Sequence, residues 1–197
     1  MASDAELNER LEFLRRAEKL KETLRSAYTS GGRQESVADH SWRLSLLVIT
    51  VSDLLPEIDL LHLLKLCIIH DLGEVVDGDI PAPEQVHSKS KSSKEREDFK
   101  SLLTNLPASL QHEFLCLWDE YENASSVEAK LAKALDKIET LLQHTQGDNP
   151  ADFDYDFNLE YGKSYTDAIP LAARLRAIID EDTRRLAEGD TGRAKQL

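Results

Sequence analysis

Residues 60–69, LLHLLKLCII, constrain the chain most, because they are apolar on nearly every face of a helix and are followed directly by His70-Asp71. Such a helix is stable only in the middle of a core, so other elements must wrap it. Asp59 supplies a start signal, and the spacing predicts a helix running through HDLGEVV to about 73–76. The wrapping is legible at helical spacing elsewhere. Leu11, Leu14, Ala17 and Leu20 mark an amphipathic surface helix over about 5–27, closed by Gly31-Gly32. Ser36-Val37-Ala38-Asp39 has the form of a capping box and opens a helix over about 37–55 that Pro56 breaks. Further helices are predicted over about 93–103 and 107–121, then through VEAKLAKALDKIETLLQHT after a cap at Ser125 or Ser126, and last over about 168–187. DGDIPAP reads as a structured loop, and residues 147–165 as a long acidic and aromatic one. With no alternating strand pattern, repeat or linker, the expectation is one all-α helical bundle spanning 1–197, with a frayed polar tail at about 188–197.

His70 shares a helical face with Leu63, Leu66 and Cys67, and His40 shares one with Val37, Leu44, Leu47 and Val51, so both imidazoles point inward. Either one alone is most simply a hydrogen-bonded core residue. Asp71 changes the reading. A carboxylate leaving the most apolar helix of the chain needs a cation or strong donors beside it, and Lys65 lies elsewhere on the wheel. Adjacent helical residues stand about 100° apart, so His70 and Asp71 can address one ion. Glu74, i+4 from His70, falls on the same side, either beside a water at that ion or as a solvated charge at the helix end. Asp136 sits with Ala129, Ala132 and Thr140 on a strip between the apolar stripe Val127, Leu131, Leu135, Ile138 and Leu142 and the lysines 130, 133 and 137, which mark the solvent side. That strip permits a close approach without demanding one.

Composition narrows the partners. Lys and Arg number 24 against 37 Asp and Glu, and the net charge of −13 repels a nucleic-acid polymer. Cys67 and Cys116 form no CxxC pair and read as buried thiols of a reducing compartment. The N-terminus is too charged for a secretory segment, and no apolar run reaches the roughly 18 residues of a membrane helix, which points to a cytoplasmic protein. P-loop, GxGxxG, HExxH and GxSxG motifs are absent. His62, His87, His112 and His144 have no partner at ligand spacing. Lys89, Lys91, Lys94 and Arg96 read as a solvated stretch, and Tyr155, Phe157 and Tyr161 as packing for the long loop.

The order His40, His70-Asp71, Asp136 resembles the H…HD…D signature of the HD-domain metal-dependent phosphohydrolases over most of the chain. RQESVADHSWR at 33–43, HDLGEVVDGDIPAP at 70–83, and WDEYE followed by EAKLAKALDKIE are similar to the branch that contains the 5′-deoxynucleotidases. The resemblance implies a single HD-domain bundle in which His40, His70, Asp71 and Asp136 hold one divalent ion: Mn, Co, Fe or Zn. It implies that Glu74 and Asp79 serve the attacking water and substrate, and that Arg25 and Arg33 serve the phosphate of a small nucleotide, a 5′-deoxynucleoside monophosphate first. Ser26 stands where the bacterial branch has an aromatic residue, so base and sugar selectivity is not read from that position. A homodimer is also implied. The same cage could serve phosphodiester or nucleoside triphosphate hydrolysis, an oxygenase with a second iron, or a non-catalytic binding module.

Overall fold

The computed structural model describes residues 2–55, 57–79 and 88–189, with the side chains of 77 and 88–92 outside that description. Pro56, residues 80–83 of the DGDIPAP segment, His87, the side chains of Lys89 and Lys91, and residues 190–197 of the polar tail lie outside the described residues. The fold is all-α apart from one small hairpin. Its helices are α1 (Asp4–Ala17), α2 (Val37–Thr50), α3 (Leu60–Ile69), α4 (Glu74–Asp77), α5 (Ser88–Leu103), α6 (Ala108–Asn123), α7 (Val127–Gln146), α8 (Tyr155–Glu160), α9 (Lys163–Thr166) and α10 (Pro170–Ala187).

α7 is the central element. It packs against α2, α3, α6, α9, α10 and the hairpin, which is why it is buried from Ala129 to Thr145 on nearly every side. α3, the apolar helix, sits against α2, α6 and α7 with Leu63, Leu66 and Cys67 fully enclosed. The start signals act as the sequence implies. Ser36 Oγ accepts from the Asp39 amide at 3.1 Å while Asp39 Oδ2 accepts from the Ser36 amide at 2.9 Å, and Asp59 caps α3 through the His62 amide. The capping box places His40 in the first turn of α2, facing α7.

Several boundaries differ from expectation. The helix predicted over about 5–27 stops at Ala17 and passes through a 3-10 turn (Glu18–Lys21) into a hairpin of β1 (Leu24–Tyr28) and β2 (Gln34–Ser36). The strands are antiparallel, pairing Leu24 with Ser36 and Tyr28 with Gln34 across an irregularity. Gly32, at φ +77°, supplies the positive φ that closes the turn, so the Gly-Gly pair is a hairpin turn and not a helix stop. Leu11 and Leu14 are exposed, whereas Phe13 and Leu20 are buried. α3 ends at Ile69, earlier than expected, and a turn at 70–73 separates it from α4. There α5 comes so close that a Cβ on Gly73 would lie 2.9 Å from the Glu95 carbonyl oxygen. Two short helices, α8 and α9, occupy the segment expected as loop at 147–165. Arg176, almost fully buried, holds α8 by donating to the carbonyls of Asn158 and Leu159 at 2.7 and 2.9 Å. Cys67 is buried as expected, but Cys116 is exposed on α6.

The hairpin is tied to the end of α7. Gln143 Nε2 donates to the Tyr28 carbonyl at 2.6 Å, and the Asp148 amide donates to the Thr29 carbonyl at 3.0 Å. A Cβ on Gly147 would stand 2.3 Å from the Tyr28 carbonyl oxygen, so only glycine lets the two meet. Gly147→Ala is therefore expected to lower stability by about 1–3 kcal/mol, as overpacking against backbone does. Urea unfolding checks this, and an unchanged midpoint would refute the close-approach argument.

Candidate metal centre

Four side chains from α2, the α3–α4 turn and α7 meet in the interior. His40 Nε2 lies 3.2 Å from Asp136 Oδ1 and 3.8 Å from Asp71 Oδ2, and His70 Nε2 lies 3.0 Å from the same Asp71 oxygen. The two imidazole rings stand edge to face with centroids 5.5 Å apart. His40, His70 and Asp136 are buried, and Asp71 is partly so. His40 Nε2, His70 Nε2 and Asp71 Oδ2 are enclosed and meet no hydrogen-bond partner at acceptable geometry among the described residues, although they face one another. Enclosed, unsatisfied donor atoms of nitrogen and carboxylate type converging on one point suit a divalent cation. His40, His70 and Asp71 bring ligand atoms within 4.8 Å of each other, and the Asp136 oxygen borders that group.

The far sides of His70, Asp136 and His40 are held. His70 Nδ1 donates to the Cys67 carbonyl at 2.8 Å, and because a carbonyl can only accept, Nε2 keeps its lone pair for the cage. Asp136 Oδ2 accepts from the Tyr121 hydroxyl at 2.7 Å and pairs with Lys137 Nζ at 2.9 Å. His40 Nδ1 is hydrogen-bonded to Glu139. Lys137, expected on the solvent side, thus turns inward, and a Cβ on Gly162 would touch its Cγ at 2.7 Å, so the segment before α9 presses it down.

Arg25 enters from β1, on the same inward face as Ala27. It reaches Glu35 at 3.2 Å, Asp71 at 3.6 Å and the Thr140 hydroxyl at 3.1 Å. Arg33 is not brought into the cluster: exposed, it donates to Asp39 Oδ2 at 2.8 Å and to the Gln34 carbonyl. Glu74 is buried at the start of α4, and its amide donates to the Asp71 carbonyl at 3.0 Å across the turn that breaks the helix. Asp79 is half-buried after Gly78 and close enough to act electrostatically on Arg25. Ser26 is exposed on the outer face of β1.

Sequence reasoning missed Glu35, Arg43, Tyr121, Lys137 and Glu139. Glu139 carried the one usable signal, a second carboxylate i+3 from Asp136 on the same helical face. The histidines given no role have other partners: His62 with Glu120, His112 beside Cys116, and His144 with Asn158. Arg96 forks onto Asp119 at 2.6 and 2.7 Å, a surface brace.

Buried charge shifts the titrations. Burial and Arg25 disfavour a charged His40, but Glu139 and Asp136 outweigh them and raise its pKa to about 10. Burial would raise Asp71 and Asp136; the neighbouring His70 for one and Lys137 and His40 for the other hold both below the usual carboxylate range. Burial and Glu139 push Glu35 up to about 7.

A model of the HD domain matches residues 17–176. The 5′-deoxynucleotidase HDDC2 of Bos taurus is 36% identical over 138 residues, 69% of this chain and 66% of that protein, so the match spans just under two thirds of the relative. The 5′-deoxynucleotidase hdd1 of Schizosaccharomyces pombe is 37% identical over 137 residues, 66% of this chain and 68% of that one. Among solved structures, a predicted metal-dependent phosphohydrolase from Magnetospirillum magnetotacticum superposes with a TM-score of 0.75 at 27% identity, covering 92% of this chain and 97% of that one. Among the described residues, no helix is long and apolar enough to cross a membrane.

The His40 shift gives a signed expectation for the metal-free protein. A pKa raised from 6.5 to about 10 contributes stability that is fully present below pH 6.5 and lost as pH climbs through about 10. A divalent cation held by the same atoms would take the place of that proton. The melting temperature of EDTA-treated protein should therefore fall between about pH 7 and 9, and Mn²⁺ or Co²⁺ should restore it. A flat profile that added metal leaves untouched would contradict the cage.

Proposed function

The chain belongs to the HD-domain family, and on that premise we propose that it is a metal-dependent phosphohydrolase that removes phosphate from a small nucleotide, a 5′-deoxynucleoside monophosphate first. The observation that carries the reading is the convergence of unsatisfied His40, His70 and Asp71 atoms, with Asp136 at their edge, in an otherwise closed interior. In this reading one HD domain spans residues 1–197, and the protein works as a cytoplasmic homodimer with no membrane or nucleic-acid polymer as partner. The family likeness supports the dimer, and the charge of −13 disfavours the polymer.

His40, His70, Asp71 and Asp136 would hold one divalent ion, and a mixed nitrogen and oxygen set admits Mn, Co, Fe or Zn. When bound, such an ion lowers the pKa of a water and neutralises charge developing on a phosphoryl group. The chain's own residues do the rest. Arg25, pinned between Glu35, Asp71 and Thr140, presents a guanidinium that cannot swing away, a preorganised donor for phosphate oxygens. Glu74, buried at the start of α4 three residues after Asp71, takes the proton of the attacking water, and Asp79 works with it. Arg33, resting on Asp39, is the outer cation of the pair and would meet the nucleotide at the rim.

Phosphate release from a panel of deoxynucleoside and ribonucleoside monophosphates, dinucleotides and triphosphates, with elemental analysis of the same preparation, tests the proposal. One ion per chain and a preference for deoxynucleoside monophosphates are expected; no release from any substrate in metal-loaded protein would defeat it. Asp71→Asn should lose metal and turnover together. Glu74→Gln should keep its metal while kcat drops about 10²–10⁴-fold. Arg25→Ala should raise KM for the phosphate substrate far more than Arg33→Ala does.

A further inference from the structure

His40 faces carboxylates of one helix at both ring nitrogens. Asp136 faces Nε2 at 3.2 Å, and Glu139, one turn further along α7, is hydrogen-bonded to Nδ1. Glu139 is fully buried. Arg43, three residues after His40 on α2, faces its other oxygen at 3.7 Å and is itself fixed by Gln143 and Gln146. From this geometry we propose that Glu139 and Arg43 are positioning residues of the metal centre. Arg43 holds the Glu139 carboxylate, and Glu139 holds the proton of His40 on Nδ1, so that Nε2 is presented as a lone-pair donor in a fixed orientation. The proposal rests on reading the cage as a metal centre.

A carboxylate accepting the Nδ1 proton excludes the other tautomer, stops the ring from turning over, and raises the basicity of Nε2. Each effect strengthens a nitrogen ligand without contact with substrate. Glu35, His40 and Glu139 also bring ligand atoms within 4.8 Å of one another, which could suggest a second cation there. Charge balance argues against it. Arg25 Nε stands 3.2 Å from Glu35 and Arg43 Nε 3.7 Å from Glu139, so each buried carboxylate has a guanidinium at ion-pair distance that opposes its charge, and Nδ1 is engaged. The cluster is a hydrogen-bonded brace behind the cage.

Co²⁺ titration of the full chain, followed by its visible absorption, reads the brace directly, with the melting temperature of the metal-free protein as the folding control. Glu139→Leu removes both acceptor and charge and should weaken Co²⁺ binding about 10–100-fold and shift the absorption band. Glu139→Gln keeps an acceptor and should recover part of that loss. Arg43→Met, which leaves Glu139 in place but unheld, should cost less than Glu139→Leu. Wild-type and Glu139→Gln affinities within twofold of each other, with Glu139→Leu equally close, overturn the brace while leaving the metal-centre reading intact. Wild-type protein that takes up no Co²⁺ overturns the metal-centre reading and the brace with it. Should Glu139→Leu not fold, the volume-preserving Glu139→Gln decides: unchanged affinity and spectrum overturn the brace, and weakened binding supports it.

Discussion

The fully buried imidazole of His40, hydrogen-bonded at Nδ1 to Glu139 and facing Asp136 at Nε2, both from α7, is the contact on which the interior depends. A charged or strongly polar group in a closed core is tolerated only when its partners are fixed in number and place. That requirement locks α2 against α7 in a single register. It extends outward: Glu139 needs Arg43, Asp136 needs Tyr121 and Lys137, and Asp71 needs Arg25 and His70. The core is thus organised around a balanced set of charges, with apolar residues such as Leu44, Leu63 and Leu135 filling the space between the helices that carry them.

Two peripheral pieces of chain supply much of that balance. The hairpin carries Arg25 and Glu35 and is tied down through Gln143 and the close approach at Gly147. The segment after α7 is anchored by Arg176 and presses Gly162 onto Lys137. Both are places where glycine or a short helix lets backbone come nearer than a longer side chain would permit. The hairpin reaches the cage directly through Arg25 and Asp71, and both pieces also bear on α7, which receives the hairpin at one end and α9 and α10 along one flank.

The helices were legible where periodicity and caps agree. The Ser36–Asp39 box and the Asp59 cap form as written, because their hydrogen bonds are local and need no tertiary partner. The hairpin was not legible, since Leu24 to Tyr28 becomes a strand only by pairing with residues beyond a turn and docking on α7. α8 and α9 escaped for a related reason: such short helices are held by tertiary contacts such as Arg176, and little in their own pattern announces them. Lys137 shows the limit of wheel reasoning. A lysine in a row of lysines reads as solvated, yet a neighbouring segment covers it.

From the sequence alone came the all-α class, the buried α3 ending in His70-Asp71, and the family likeness with its set of four candidate ligands, because each rests on residues close in the chain or on a motif in fixed order. Which atoms face one another was decided by the tertiary structure. Arg25 reaching Asp71 while Arg33 stays outside, and Glu139 meeting Nδ1 of His40, span from 46 to 99 positions of chain. No local pattern encodes such distances; they follow from how the helices pack around the buried charges.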